Sequence, residues 1–100
     1  MLERNIEEYL VKRVKAMGGE VRKVKWIGRN SAPDRLVMLP GNGVFNNTTW
    51  VELKRPGLAA GFPADAHERA QDREHQRMRR MGQRVVVIDS LKAVEELLDA

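Results

Sequence analysis

The sequence predicts an α/β fold with elements in the order αβββαβα, and three observations carry that prediction. Leu2, Ile6, Leu10, Val14 and Met17 recur at helical spacing and stop at Gly18-Gly19. Two short strand patterns, 35–39 and 49–53, flank a turn-rich stretch. Val85-Val86-Val87-Ile88 is an uninterrupted apolar run, the signature of a strand buried on both faces and so of the sheet's interior.

The first helix is expected over about 2–17, with its apolar stripe on the sheet. Residues 20–27 alternate Val21, Val24 and Trp26 imperfectly with Arg22, Lys23 and Lys25, which predicts a first strand with a basic face. Pro40-Gly41-Asn42-Gly43 and Asn46-Asn47 supply turn chemistry for the hairpin that follows. Residues 56–63, rich in Gly, Ala and Pro, read as a surface loop beside Lys54. Over 64–81 the pattern is helical and weakly amphipathic, with Ala70, Met78 and Met81 on one side, His75 beside them, and Gly82 as the stop. Ser90 then reads as the N-cap of a last helix carrying Ala93-Val94 and Leu97-Leu98.

Asp34 and the triplet Glu52-Leu53-Lys54 carry the chemistry. Adjacent strands lie roughly 4.8 Å apart, so Asp34 at the start of one strand and Glu52 near the end of its antiparallel partner can reach a single ion. Alternation along the strand puts Trp50, Glu52 and Lys54 on one face and Val51 and Leu53 on the other. Two carboxylates with an ammonium suit a hard oxygen-seeking cation, Mg2+ or Mn2+, that activates water beside a phosphodiester. Zinc is disfavoured, because the chain has no cysteine and His67 and His75 stand eight residues apart. A surface cross-strand pattern explains the same residues without chemistry, and both readings stand on this signal alone.

The wider chain adds Glu3-Arg4-Asn5-Ile6-Glu7, Gly18-Gly19, Ala32-Pro33-Asp34-Arg35-Leu36, Trp50 through Gly57, Gln71, Arg80-Met81-Gly82 and the strand from Arg84 to Asp89. Together these resemble, nearly end to end, the VRR-NUC family (virus-type replication-repair nucleases), a branch of the PD-(D/E)xK nuclease superfamily. The resemblance implies a restriction-endonuclease-like core, a central mixed sheet flanked by helices. It makes Asp34 and Glu52 metal ligands, Lys54 the catalytic lysine and Gln71 an active-site helix residue, with Gln76 the alternative. An acid of the first helix completes the set. Glu3 and Glu7 lie one turn apart on the same face; Glu3, three residues before Ile6, matches the family better, as a further metal ligand. Where the family often has Gly two residues before Pro-Asp, this chain has Ser31. Small members of this kind resemble phage or bacterial proteins that nick or resolve branched DNA, such as four-way (Holliday) junctions or flaps, as homodimers.

Length and charge agree with that expectation. A chain of 100 residues makes one domain, 1–100, with one modest core, and 42% apolar against 32% charged residues argue against disorder. A net charge of +4 favours a polyanionic partner. The expected DNA contacts are Arg22, Lys23, Lys25, Arg29, Arg35 and Arg55. Arg69, Arg73, Arg77 and Arg80 form a second stripe, laced with Glu68 and Asp72. No recognition-helix motif is present, so the DNA is read by shape and charge. Trp26 and Trp50 are expected in packing rather than on bases. Charges interrupt the opening apolar residues and no stretch reaches the roughly 20 apolar residues of a membrane span, which predicts a soluble, cytoplasmic protein without a signal peptide. Two other classes fit the composition: a non-catalytic basic nucleic-acid-binding module of the same fold, and a small interaction subunit whose charges only solubilise it.

Overall fold

The computed structural model describes residues 1–41 and 47–99. Helix α1 spans Glu3–Ala16. Ile6, Leu10 and Val14, each four residues on from the last, are fully buried, because one helical face meets one sheet face. The helix begins where the Asn5 side chain accepts the Leu2 backbone N–H at 2.7 Å. It ends where Gly18, at φ +84°, lets the Gly19 N–H reach back to the Val14 carbonyl at 2.9 Å. Leu2 and Met17 are exposed rather than part of the buried stripe. They sit at the N-cap and C-cap, outside the helical face that the other three share.

Strands β1 (Glu20–Lys23), β2 (Arg35–Met38), β3 (Thr48–Leu53) and β4 (Val85–Ile88) form a sheet in the order β1-β2-β3-β4. The first two pairings are antiparallel and the last is parallel, so the sheet is mixed, as expected. Strand β1 is shorter than the sequence predicts. After one more bond, Val24 N–H to the Asp34 carbonyl at 2.9 Å, the chain leaves the ladder so that Trp26 can pack on Trp50 with ring centroids 5.1 Å apart. Of the turn residues between β2 and β3, Asn42, Gly43 and Asn46 lie outside the described residues. Asn47 closes the near side by donating to the Pro40 carbonyl at 3.0 Å.

Alternation along β3 divides the molecule. Thr49, Val51 and Leu53 are buried, and Val51 and Leu53 join Ile6, Leu10, Val14, Val37, Ile88, Val94, Leu97 and Leu98 in one apolar core. That core lies between the sheet and the pair α1 and α3 (Leu91–Asp99). The opposite face carries Trp50, Glu52 and Lys54 and is covered by α2 (Ala66–Arg80). Asp65 caps α2 by accepting the Glu68 N–H at 2.8 Å, and Ser90 caps α3 through the Ala93 N–H at 3.0 Å.

Strand β4 departs from expectation, because it forms an edge of the sheet rather than the interior. Its apolar run reflects cover from helices on both faces: Ile88 belongs to the core beneath α1 and α3, while α2 lies over the other side, with Arg79 Nη2 donating to the Val85 carbonyl at 2.8 Å. Both-face burial and a central position are separate properties, and the run reports only the first. Among the described residues no helix is long and apolar enough to cross a membrane.

Two features tie these layers together. Gly19 turns the chain from α1 into β1 so tightly that a Cβ there would lie 2.3 Å from the Met38 carbonyl oxygen. Gly19→Ala should therefore destabilise the protein by about 1–3 kcal/mol, read as a lower urea midpoint. Across α1 and α3, Glu95 accepts from Tyr9 Oη at 2.5 Å and from Arg13 Nε at 2.7 Å. The Arg13 hydrogen bond, with that of Tyr9, holds the Glu95 carboxyl down at about 2 from its ordinary 4.5. A depressed carboxyl stabilises the fold above its unfolded value and loses that contribution as pH falls through the folded one. Wild type should exceed Glu95→Gln in stability at neutral pH, and urea melts should show the gap closing between pH 4.5 and about 2.

Candidate active site

The site begins with a register. Arg35 pairs with Val51 across β2 and β3, which carries Asp34 to the level of Glu52. Buried Pro33 fixes the approach, its carbonyl accepting Trp26 Nε1–H at 2.9 Å. The opening turns of α1 come over the same end of the sheet. Glu3, Glu7, Asp34 and Glu52 thus line one cleft of about 290 Å³, together with Arg4, Arg35 and Leu53. Both first-helix acids reach it, so the structure brings together every carboxylate that the sequence singles out.

Arg35 dominates the electrostatics of this cleft. It donates to Glu7 through Nε at 3.2 Å and Nη2 at 3.1 Å, and its Nη1 lies 2.7 Å from Asp34 Oδ1. Only 12% of its side chain is exposed. Burial works against its charge, but the Glu7 hydrogen bond and the Asp34 and Glu7 charges outweigh burial and hold the guanidinium more basic than usual. Arg35, expected at the DNA, is instead turned inward as a counterion. Four carboxylates against two guanidiniums leave the cleft electronegative. Among the described residues no three Asp, Glu, His or Cys side chains stand together as a ready metal-holding group. Arg35 draws Glu7 and Asp34 to itself, and His75 holds Glu52. The possible donors lining the cleft are nonetheless all carboxylates, the oxygen-ligand type that Mg2+ and Mn2+ take.

Lys54, beside Glu52 on the same face of β3, is pinned by α2. Its Nζ donates to Gln71 Oε1 at 2.7 Å, pairs with Glu68 Oε2 at 3.0 Å and lies 5.2 Å from the Phe62 ring centroid. Gln71 is buried at this contact, whereas Gln76 is exposed and turns to Asp72 at 3.4 Å. Glu68 faces Lys54 rather than the outward arginines. The Ala64 backbone N–H, and then Lys54, hold its carboxyl below the usual range.

The inward stripe of α2 is polar: Gln71, Glu74, His75 and Met78, at helical spacing, are buried, while Met81 is exposed and Ala70 only half-buried. A search for apolar letters misses this face, and with it His75 at the site and Glu74 beside it. His75, fully buried, places Nε2 3.2 Å from Glu52 Oε1 and stacks on Phe62 with centroids 5.6 Å apart. A carboxylate only accepts, so this bond puts the ring proton on Nε2 and leaves Nδ1, which has no hydrogen-bond partner among the described residues. Glu74 is clamped between Arg29 Nε at 3.0 Å and Arg77 Nη1 at 2.6 Å. The signal in the sequence is the spacing 71, 74, 75, 78, legible once polar residues are allowed on a buried face.

Lys23, Lys25 and Arg55 are exposed, and Arg29 keeps 43% of its side chain in solvent beyond its bond to Glu74. Lys23, Lys25, Trp26 and Arg29 line a second groove of about 590 Å³ that reaches Asp34. A basic track therefore runs into the acidic cleft.

No family model matches the chain. Putative nuclease p44 of Acyrthosiphon pisum secondary endosymbiont phage 1 is 38% identical to it over 88 residues, 88% of this chain and 83% of that protein. A solved VRR_NUC domain superposes with a TM-score of 0.72 at 33% identity, over 97% of this chain and 94% of that one. The chain belongs to the VRR-NUC nuclease family. The expected family and fold are thereby shown, with the mixed sheet between its helices as the VRR-NUC core.

Ser31, which differs from the glycine often found in VRR-NUC sequences, adopts φ +69°, in the left-handed region. An L-residue is strained there by roughly 1–2 kcal/mol, and glycine is not. After allowing for glycine's looser unfolded chain, Ser31→Gly should stabilise the protein by about 0.5–1 kcal/mol, measured as a raised urea midpoint.

Proposed function

We propose that this VRR-NUC protein is a metal-dependent endonuclease that hydrolyses phosphodiester bonds in branched DNA, four-way junctions or flaps. The observation that carries the proposal is the meeting of Asp34, Glu52, Glu3 and Glu7 in one cleft, with Lys54, just past the end of β3, held like Glu52 by α2. Asp34, Glu52 and Glu3 would hold Mg2+ or Mn2+, with Glu7 the alternative helix acid. Once bound, the ion supplies Lewis acidity and lowers the pKa of water at a phosphate.

The chain's own groups do the rest. Lys54, held by Gln71 and Glu68, presents an ammonium to the charge that builds on the phosphate or the attacking oxygen. His75 acts at one remove, as a donor that sets the Glu52 carboxylate. Lys23, Lys25, Arg29 and Arg55 offer sequence-independent contacts to phosphates. Arg35 neutralises Glu7 and Asp34, and would have to release the oxygens that hold a metal. One chain carries one such cleft among its described residues, so symmetric cutting of two strands calls for a homodimer.

The test compares matched duplex, flap and four-way DNA with Mn2+ or with EDTA. Glu52→Gln, Asp34→Asn and Lys54→Ala should each reduce cutting by about 10²-fold or more while the circular dichroism spectrum and junction binding persist. EDTA should abolish cutting by the wild type. Calorimetry should show Mn2+ binding lost in Asp34→Asn and Glu52→Gln and kept in Lys54→Ala. Unchanged cutting by all three variants refutes the proposal.

A further inference from the structure

Between β1 and β2 the chain projects a loop whose tip is Ile27, an isoleucine 92% exposed to solvent. An isolated exposed apolar residue needs no explanation; this one stands on a loop that is braced from three sides. Its base is closed by the Val24 N–H to Asp34 carbonyl bond at 2.9 Å. Its first limb is fixed by Trp26, which donates to the Pro33 carbonyl and packs on Trp50. Its second limb is fixed by Arg29, bonded to Glu74, a carboxylate whose side chain is only 6% exposed. Burying that charge is costly unless it is paired, and none of the proposed chemistry uses it. Gly28 at φ +75° and Ser31 at φ +69° add two left-handed residues to the same loop. Strain at Ser31 and the pairing of a buried carboxylate are together committed to holding an apolar side chain out in water, at a defined place.

That place suits a nucleic acid. Lys25 and Arg29 flank the tip and line the groove that runs to Asp34. Phosphates drawn into this groove would bring the bases beside them against Ile27. Aliphatic side chains presented this way unstack base steps, at an expense of a few kcal/mol for each step. That expense is least where a duplex is interrupted, because the pair at a branch already lacks a stacking neighbour.

We infer that Ile27 is a wedge that enters the base stack at a branch point and thereby selects interrupted over continuous duplex. This rests on the endonuclease reading and adds the feature of DNA that the protein recognises. A second copy of the chain is the competing occupant for an apolar tip. The flanking cations favour DNA, because two copies meeting at their tips would bring like charges together.

The experiment places 2-aminopurine in the pair flanking the branch of a four-way junction and follows its fluorescence in EDTA, with anisotropy reporting affinity. Wild type should raise the emission on binding. Ile27→Ala should bind yet leave the emission near that of free DNA, and Ile27→Leu should restore the rise. In cutting assays with Mn2+, Ile27→Ala should be slowed about tenfold or more on the intact junction and little on one with unpaired nucleotides already at the branch. Retention of the fluorescence rise by Ile27→Ala overturns the wedge while the endonuclease reading stands. A shift of Ile27→Ala to a smaller species in sedimentation also overturns it and assigns the tip to contact between copies. Failure of wild type to bind or cut any branched DNA is the separate result that removes the endonuclease reading itself.

Discussion

The antiparallel register of β2 against β3 is the constraint on which the site depends. It carries Asp34 to the level of Glu52, and the two-residue period of β3 then sends Glu52 and Lys54 to the face opposite Val51 and Leu53. A slip of one residue would bury the acid and the lysine among α1 and α3 and turn the core valine and leucine toward the polar stripe of α2. The apolar core therefore specifies the polar face of β3 as firmly as it stabilises the protein. Because the wrong register sacrifices burial along the whole strand, β3 needs no separate device to orient Glu52 and Lys54.

The two helical layers divide the work that this register creates. Helix α1 packs by three aliphatic residues and delivers Glu3 and Glu7, one turn apart, to the cleft, so packing and site geometry are linked through one rigid element. Helix α2 faces the other side with a polar stripe, which is stable only because each buried group meets a partner: Gln71 with Lys54, His75 with Glu52, Glu74 with two arginines. The Nδ1 atom of His75 is left out of that pairing. Such a layer stabilises less than an aliphatic one would, and it fixes the orientation of Lys54 and Glu52.

Arg35 shows how the chain tolerates several carboxylates in one cleft. Their mutual repulsion disfavours the folded state unless a positive charge stands among them, and a guanidinium with its forked donors meets Glu7 and Asp34 at once. The same residue is thereby turned inward, with only 12% of its side chain exposed. Lys23, Lys25, Arg29 and Arg55 remain outward, and the loop that carries Arg29 is tied back to α2 through Glu74.

Local chemistry was readable from the sequence alone. Helix α1 and its glycine stop, the hairpin strands, the caps at Ser90 and Gly82, and the Asp34, Glu52 and Lys54 set depend on spacing and side-chain type within a few residues. The resemblance added Glu3, Glu7 and Gln71, which lie far from those three in the chain. Only the tertiary structure decided which surfaces meet: the edge position of β4, the inward polar face of α2, the capture of Arg35 by the acids, and the contact of His75 with Glu52. Periodicity records how strongly a residue is covered, whereas the identity of the covering group is set by contacts between segments dozens of residues apart.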